Sequence, residues 1–414
     1  MTARASVVIT SRQRPDHLAL CLTGVGQLLH PAFEIVVVAD SASLATLPAT
    51  LRARIKAAAC DEANISTARN IGLGLAAGDI VAFIDDDAVP EPTWLARLAA
   101  PFADPAVVSA GGHVRGRNGI SLQWAGRMVD GHARHHPLPD APAVIVQGRG
   151  RALKTEGTCM AHRRAALLAA GGFDPAFRFY LDETDLNLRL AATGAGAALV
   201  PGAQVHHAFA ASDRRRADRV PVSLHDVGAS LALFLRRHAG HPDPARLEEE
   251  AAERRAGLRG HRRAGRIGGD EAERLLATLR AGWDDGCARP LAPPAPLPDA
   301  PPPFLPWQRR FTGHRILSGP RRARARLMDA AAELVRDGAI VSLYLLSPGV
   351  ARHRIGFHPE GVWVQEGGLW GASLRTDPVF RPWRRNSRVA REAGLVASLR
   401  HPGPNDGGNP EQSP

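Results

Sequence analysis

Short apolar segments alternate with helical patterns over the first 87 residues, and this alternation limits the possible folds more than any other feature. The sequence predicts strands over 6–10, 34–39 and 80–84 and a weak strand ending at Cys60-Asp61. Between them it predicts a helix with Asp16 as its cap, followed by helices over 44–58 and 67–77. Strands separated by helices imply βαβ units, so we expect an α/β fold with a parallel sheet.

Three consecutive carboxylates, Asp85-Asp86-Asp87, follow the apolar segment 80–84. Three adjacent negative charges repel one another unless a cation compensates them, and divalent Mg²⁺ or Mn²⁺ prefers carboxylate oxygen. Ligands of open α/β sheets bind beyond the carboxyl ends of the strands, where these acids are expected. A solvated acidic turn is the alternative for the triplet taken alone.

The composition is that of a globular protein with 22% charged residues and a net charge of +11. The positive charge is compatible with nucleic acid, anionic membranes or phosphorylated substrates. Lysine occurs only at Lys56 and Lys154, however, and a GC-rich coding bias toward arginine explains the charge equally well. No nucleic-acid-binding motif is present and aromatic residues are only 5%, so we expect no nucleic-acid partner.

The four cysteines are widely separated, which argues against a disulfide framework or a zinc site. The chain enters its first strand without an apolar signal segment, and no stretch approaches the ~20 apolar residues that span a bilayer. The sequence therefore predicts a cytoplasmic protein, at most peripheral to a membrane.

Beyond residue 100 the pattern is less regular. It predicts strands over 107–114, 155–161 and 197–201, with helices over 94–102, 163–170 and 186–193. The segment 115–142 reads as a loop, and its three histidines, His132, His135 and His136, are expected to be solvated rather than bound to metal.

Composition divides the chain into five predicted regions. They are a catalytic-type domain (1–240), an Arg-rich helical extension (241–288), a Pro-rich linker (289–306), a small α/β region of unknown role (307–401) and a disordered tail (402–414). The extension is expected to be a solvated helical face, with contact to anionic lipid as the alternative. The small region should contain one βαβ unit and has four tryptophans, which we expect to pack in its core.

Further polar groups occur where they could join the triplet. Asp40 ends the second strand, where it would either contact a ribose or cap a helix. Arg69 lies just before the strand that carries the triplet, and Asp182-Glu183-Thr184-Asp185 and His206-His207 follow later in the chain. These residue types suit diphosphate binding, general-base chemistry and metal ligation.

In this order the segments resemble a family 2 glycosyltransferase of the GT-A fold. The resembling segments are SVVITSRQR, VVVAD, ISTARNIGLGLAAGDIVAFIDDDAVPEPTWL, EGTCMAHRRAALLAAGGFD, YLDETDLNLRL and PGAQVHH. The resemblance covers roughly residues 4–240. It implies a Rossmann-like, nucleotide-binding mixed sheet flanked by helices, with an acceptor-binding half in the same domain.

The resemblance also implies roles for individual residues. Those expected at the nucleotide-sugar donor are Thr10, Arg12, Asp40, Arg69, Asp85 and Asp86. The metal, Mn²⁺ or Mg²⁺, would be held by Asp85, Asp87 and His207, with His206 as the fallback. Glu183 would be the base, with Asp182 as the alternative because the family's Glu-Asp is reversed here, and Asp185 would lie on the acceptor side. Asn64 replaces a frequent glycine, a mild departure.

The implied reaction is inverting transfer of a sugar from a nucleotide-diphosphate sugar to a hydroxyl of a glycan, lipid-linked or protein acceptor. Flanking acids should raise the pKa of Glu183. Two alternatives remain. A sugar-phosphate nucleotidyltransferase would need a Gly-rich loop after the first strand, where residues 11–15 contain no glycine. A non-catalytic scaffold or glycan-binding protein could use the same fold.

Overall fold

The computed structural model of the protein describes residues 3–208, 210–291, 294 and 296–401. Its main feature is a mixed sheet of ten strands in the order β10-β13-β6-β12-β4-β1-β2-β3, with β5 paired to β13 and β7 to β6. These strands are β1 (Ala5–Ser11), β2 (Phe33–Ala39), β3 (Lys56–Ala59), β4 (Ile80–Asp85), β5 (Ala88–Pro90), β6 (Val107–Arg115), β7 (Leu122–Trp124), β10 (Ala143–Val146), β12 (Met160–Arg163) and β13 (Gly196–His207).

The strands β3, β2, β1 and β4 are parallel, and β12 and β10 run antiparallel to their neighbours. A small second sheet contains β8 (Arg127–Asp130), β9 (His135–Pro137) and β11 (Arg151–Leu153). Two of these strands, β8 and β9, lie within 115–142, which was predicted to be a loop. The helices of this first unit are α1 (Pro15–Val25), α2 (Ser41–Ala45), α3 (Ala49–Arg52), α4 (Ile65–Leu75), α5 (Trp94–Ala99), α6 (Arg164–Ala169) and α7 (Asp182–Ala191). The result is an α/β architecture with helices on the sheet, as predicted.

Several predicted elements differ from the observed ones. The predicted helix over 44–58 is wrong: Pro48 separates α2 from α3, and the following residues form β3. Asp16 is not the cap of α1, because Pro15 occupies the first helical position and Arg14 precedes it. The strand predicted over 155–161 begins only at Met160. The strand predicted over 197–201 continues to residue 207 through an irregularity between Val200 and Gln204.

Three helices follow, namely α8 (His225–His238), α9 (Pro244–Arg263) and α10 (Gly269–Ala288). They pack with α7 around buried leucines and aromatic residues, so one face of each is internal. No helix within the described ranges is long and apolar enough to cross a membrane.

The C-terminal unit is a four-stranded sheet in the order β14-β15-β17-β16 with two helices. Its elements are β14 (His314–Gly319), α11 (Arg324–Arg336), β15 (Ile340–Ser347), β16 (Arg354–Phe357), β17 (Val362–Gly368) and α12 (Arg385–Arg400). The predicted βαβ unit is present, since β14 and β15 are parallel. Helix α12 was not predicted from the sequence, and the tail from Pro402 lies outside the described residues.

The Pro-rich linker lies against the first unit rather than free. Leu305 N donates to Glu34 Oε2 at 2.8 Å, and Trp307 N donates to the carbonyl of Phe33 at 2.7 Å. The end of the linker is thus held at the start of β2, in the parallel half of the large sheet.

Close contact between α8 and α10 depends on glycines at the crossing. A Cβ at Gly282 would lie 1.9 Å from the carbonyl oxygen of His225, and one at Gly228 would lie 2.0 Å from that of Leu279. Backbone atoms cannot move aside without separating the helices, so only glycine fits.

We expect Gly282→Ala to lower the free energy of unfolding by about 1–3 kcal/mol, since overpacking forces backbone shifts. Gly257→Ala is the matched control. Gly257 lies in α9, and a Cβ added there would meet no atom within 4 Å, so alanine should be neutral or stabilise by up to about 1 kcal/mol. Thermal unfolding of both variants checks this, and equal melting temperatures would contradict the packing account.

Candidate active site

Three side chains with metal-ligating atoms meet at the carboxyl end of β4. Asp85 is the last residue of β4, Asp87 directly precedes β5, and His207 ends β13. Because β13 pairs antiparallel with β5, His207 lies opposite Ala88. His207 Nε2 is 3.1 Å from Asp87 Oδ1, and one ligand atom from each of the three residues lies within 4.8 Å of the others.

The chemistry of this group fits a divalent cation. Two carboxylates and one imidazole supply hard oxygen and borderline nitrogen donors. On the far side of the ring, His207 Nδ1 is 3.2 Å from Gln123 Oε1. An amide oxygen only accepts, so Nδ1 can donate to Gln123, while Nε2 on the other side of the ring faces Asp87. Such an outer partner is typical of metal-ligating histidines.

Asp87 is held in its charged form. Burial opposes its ionisation, but the hydrogen bond to His207 and the positive charge of Arg14 outweigh burial and hold the pKa of Asp87 well below its usual range. Ala210 N donates to Asp87 Oδ2 at 2.8 Å, and the Arg215 guanidinium is 4.0 Å from the same oxygen. Asp87 is therefore an anion surrounded by donors.

Asp86 faces a different environment from its two neighbours. Ser11 Oγ donates to Asp86 Oδ2 at 2.6 Å, and Arg14 pairs with its other oxygen. Burial is the largest influence and raises the pKa of Asp86 to about 7. Both oxygens of Asp86 thus face protein partners, although the residue also lines a cavity with Asp87 and His207, and its contact with a donor stays a prediction.

Arg69 connects the acidic triplet to a second carboxylate cluster. Its side chain is only 2% exposed, so it does not decorate the surface. One guanidinium nitrogen lies 3.2 Å from Asp85 Oδ1, and another pairs with Asp182. Arg69 thus pairs with one acid of each cluster, and its predicted contact with a diphosphate stays a prediction.

The second cluster begins at the first turn of α7. Tyr180 and Leu181 have φ values of +71° and +63°, and Leu181 occupies the N-cap position. Left-handed backbone is unfavourable for such residues and concentrates at functional sites. This turn presents Asp182 and Glu183 toward Arg69 and Lys154, respectively.

The two acids have opposite pKa shifts. Burial and the neighbouring charge of Glu183 raise the pKa of Asp182 to about 8 despite its contact with Arg69. Burial also opposes ionisation of Glu183, but Lys154 and then Arg69 outweigh it and lower its pKa. The predicted raised pKa of Glu183 is therefore wrong, because the sequence did not reveal Lys154 beside it. Asp182 and Glu183 therefore titrate as a pair, and Lys154 and Arg69 favour the charge on Glu183 and the proton on Asp182.

Asp185, also in α7, is enclosed by protein groups. It is fully buried and is bound by basic groups of α7 and α8: Arg189 Nε at 2.8 Å, an Arg237 nitrogen at 3.0 Å and His238 Nε2 at 2.9 Å. The predicted acceptor-side role of Asp185 stays a prediction, since these contacts show only what holds its carboxylate. Asp185 joins α7 to α8.

Of the two adjacent histidines, His207 lies with Asp85 and Asp87, whereas His206 does not. His206 Nε2 is 2.8 Å from Glu91 Oε1, on the opposite side of the strand. The loop histidines also stay apart, with His136 bound to Asp130 at 2.9 Å. Among the described residues, the group of Asp85, Asp87 and His207 is the one that could hold a metal ion.

The predicted nucleoside-side residues lie at the ends of β1 and β2. Thr10 pairs in register with Asp85. Asp40 caps α2 through Ser43 N at 3.0 Å and also accepts from Gln13 N at 2.6 Å, so its predicted capping role is realised. Arg12 forms an ion pair with Asp213, beyond β13.

Three residues of this region were not predicted from the sequence: Arg14, Lys154 and Glu91. The sequence offered a signal for Lys154 alone, because it is one of only two lysines in a chain that otherwise uses arginine for its positive charge. Arg14 and Glu91 lie beside predicted motifs, but their contacts depend on elements distant in the sequence.

The sequence matches the profile of a family described as "Glycosyltransferase like family 2" over residues 3–219. A curated relative, the O-antigen biosynthesis protein RfbC of Myxococcus xanthus, is 27% identical over 248 residues. The match covers 56% of this chain but 19% of that protein, so the chain spans about a fifth of this relative's length.

Solved structures give remote similarity. The crystal structure of GalNAc-T7 with UDP, GalNAc and Mn²⁺ is 16% identical, covers 56% of this chain and 50% of that chain, and has a TM-score of 0.42. The structure of S. aureus TarS 1–349 in complex with UDP is 15% identical, covers 69% and 89%, and also has a TM-score of 0.42.

The two environments within the triplet predict different responses to mutation. Asp87→Asn removes the charge of a proposed ligand and should weaken Mn²⁺ binding by about tenfold or more. Asp86→Asn replaces a carboxyl group whose pKa is raised to about 7, and this variant should bind Mn²⁺ like the native chain. Electron paramagnetic resonance of free Mn²⁺ measures both dissociation constants. Equal weakening by the two substitutions would contradict the assignment of ligands.

Proposed function

The chain belongs to glycosyltransferase family 2, and from this membership we propose that it transfers a sugar from a nucleotide-diphosphate sugar to a hydroxyl group of an acceptor. The predicted enzyme class is confirmed by the family match over 3–219. The predicted GT-A class is confirmed by that match together with the mixed sheet and its flanking helices. Substrates, metal dependence and stereochemistry are proposals.

One observation carries the proposal: Arg69 lies between two clusters of acids. The first, called the metal-type cluster, is Asp85, Asp87 and His207, and the second is the pair of Asp182 and Glu183. Arg69 contacts Asp85 of the first cluster and Asp182 of the second. Sugar transfer needs positive charge where a diphosphate leaves and a base where a hydroxyl attacks. The two requirements would be met on either side of one buried guanidinium, by a cation bound at Asp85, Asp87 and His207 and by the pair of Asp182 and Glu183.

On the donor side, Asp85, Asp87 and His207 would hold Mn²⁺ or Mg²⁺, and we favour Mn²⁺ because Mg²⁺ prefers an all-oxygen shell. When bound, the ion supplies positive charge that stabilises the leaving diphosphate. The guanidinium groups of Arg14 and Arg215 beside Asp87 would add to that charge. Along the ends of β1 and β2, residues Thr10, Arg12 and Asp40 would contact the nucleoside.

On the acceptor side, Glu183 is the proposed base. It accepts the proton of the acceptor hydroxyl while that oxygen bonds to the anomeric carbon and the bond from that carbon to the diphosphate oxygen breaks. A single displacement from the face opposite the leaving group inverts the anomeric configuration. The lowered pKa of Glu183 means that it is ionised at neutral pH, and Lys154 balances its charge before the proton arrives.

We further propose that the acceptor is a cell-surface glycan or its lipid-linked or protein-bound precursor. The similarity to an O-antigen biosynthesis protein supports this, although the match covers a minor part of that protein. A cytoplasmic location, with peripheral contact of the Arg-rich helices with an anionic membrane, stays a prediction.

A panel of nucleotide-sugars tests the reaction class. With Mn²⁺ present, we expect at least one to raise the melting temperature and to be hydrolysed slowly, and chelation by EDTA should abolish the hydrolysis. Binding of glycans without hydrolysis of any donor would favour a non-catalytic scaffold. Formation of a nucleotide-sugar from a sugar phosphate would favour a nucleotidyltransferase.

The base is tested by removing one proton acceptor at a time. Glu183→Gln should retain donor binding and lower transfer by about 10²–10⁴-fold, the usual contribution of a general base. Asp182→Asn, which mimics the protonated form already favoured, should reduce transfer less. If Asp182→Asn is the inactive variant and Glu183→Gln retains transfer, Asp182 is the base.

The side chain of Lys154 should set the acidic limb of the pH profile. Lys154→Met removes the charge that lowers the pKa of Glu183, so that pKa should rise by about one unit or more. A base must be ionised to act, hence kcat/KM should fall at a higher pH than in the native enzyme. Lys56→Met is the control, because Lys56 pairs with Glu34 3.0 Å away and not with the site. An unshifted acidic limb in Lys154→Met would refute the role.

A further inference from the structure

The C-terminal unit contacts the segment that directly follows the acidic triplet. Glu91 directly follows β5 and is only 1% exposed. Arg400, the last residue of α12, binds both of its oxygens: Nε donates to Oε2 at 2.9 Å and a second nitrogen donates to Oε1 at 3.0 Å. The pair joins residues 309 positions apart within a buried environment.

The same carboxylate holds the strand that carries His207. Glu91 Oε1 also binds His206 Nε2 at 2.8 Å, and Glu91 N donates to the carbonyl of Gln204 at 2.9 Å. His206 and His207 pair with Val89 and Ala88 across the ladder of β5 and β13. Glu91 therefore ties the two strands together at the point where one carries His207 and the other follows Asp87.

Arg400 is itself fixed by the C-terminal sheet. Ser342 Oγ of β15 accepts from Arg400 at 2.7 Å, and the guanidinium lies 4.4 Å from the centre of the Trp363 ring of β17. The Trp363 ring also packs on His206, with 4.8 Å between ring centres. Two strands of the C-terminal sheet, β15 and β17, thus hold the Arg400 side chain in place.

Two further contacts place the C-terminal unit beside the site. Thr93 N donates to the carbonyl of Leu399 at 3.0 Å, which holds the end of α12 against the start of α5. Ile355 and Phe357 of β16 line a cavity of about 210 Å³ that is also lined by Asp87. The contact between the units therefore reaches the metal-type cluster itself.

We propose that Arg400 is a positioning residue for the metal site. Through Glu91 and His206 it fixes the ladder of β5 and β13, which sets the separation of Asp87 and His207. The C-terminal unit, which lies outside the family match, thereby completes the metal site of the first unit. This inference rests on the proposed metal-dependent function. The competing account is that the pair of Arg400 and Glu91 only joins the two units.

The test compares two arginines of α12 in the full chain. Arg400→Lys keeps the charge but loses the two-pronged contact with Glu91. Arg388→Lys is the matched control, since Arg388 is equally buried and lies 3.0 Å from Glu392 but does not contact Glu91. We expect Arg400→Lys to raise the Mn²⁺ dissociation constant by about tenfold or more, as for other outer-sphere changes, and Arg388→Lys to leave it unchanged.

Melting temperatures are recorded for both variants, because a role limited to joining the units would lower stability without weakening Mn²⁺ binding. A native dissociation constant in folded Arg400→Lys, or equal weakening in both variants, overturns the inference. If Arg400→Lys does not fold, Glu91→Gln removes the charge at the other end of the contact, and the same loss of Mn²⁺ affinity is required of it.

The outcome also separates this inference from the proposed function. If the native chain binds no Mn²⁺, the metal-dependent function fails and the inference fails with it. If the native chain binds Mn²⁺, Asp87→Asn does not and Arg400→Lys binds normally, the metal site stands and only the role of Arg400 is refuted.

Discussion

The site depends on compensating several buried and half-buried carboxylates that the fold brings together near the carboxyl end of β4 and the start of α7. Asp85, Asp87, Asp182 and Glu183 would repel one another in a medium of low dielectric constant without nearby positive charge. Arg69 supplies part of that charge from between the two clusters, and Lys154 supplies more beside Glu183. Such contacts also divide the acids chemically, because they lower the pKa of Asp87 and of Glu183 while the pKa of Asp182 is raised. Charge compensation thus determines both the stability of the arrangement and the roles available to each acid.

A second consequence concerns the C-terminal unit. Its buried Arg400 neutralises Glu91, which lies four residues beyond Asp87 and bonds to the neighbour of His207. A buried charge without its partner is costly, so the first unit needs the second at this point. The Pro-rich linker makes the contact possible, because its C-terminal end is bound at the start of β2 in the large sheet. The two units therefore share electrostatic partners and do not simply lie next to each other.

Much of the fold was predictable, because the strands that form the parallel half of the sheet are short, apolar and separated by helical periods. The prediction failed where local pattern was ambiguous: Pro48 divides the expected helix over 44–58, and α12, rich in arginine, has a weak apolar pattern. Asp85, Asp87 and His207 were predicted from motifs and lie together in the structure. The pKa of Glu183 was predicted in the wrong direction, since Lys154 is 29 residues away in the sequence.

The sequence by itself determined the alternation of strands and helices that builds the parallel half of the sheet, the family and the residue types available for chemistry, because these follow from local periodicity and from motifs of adjacent residues. Only the tertiary structure decided which groups each acid and each histidine contacts. Asp86 turns to Ser11 and Arg14, Asp185 is enclosed by α8, and His206 faces Glu91 while its neighbour His207 faces the metal-type cluster. The physical reason is that alternate residues of a strand face opposite sides, and that a carboxylate's pKa depends on charges contributed by distant segments.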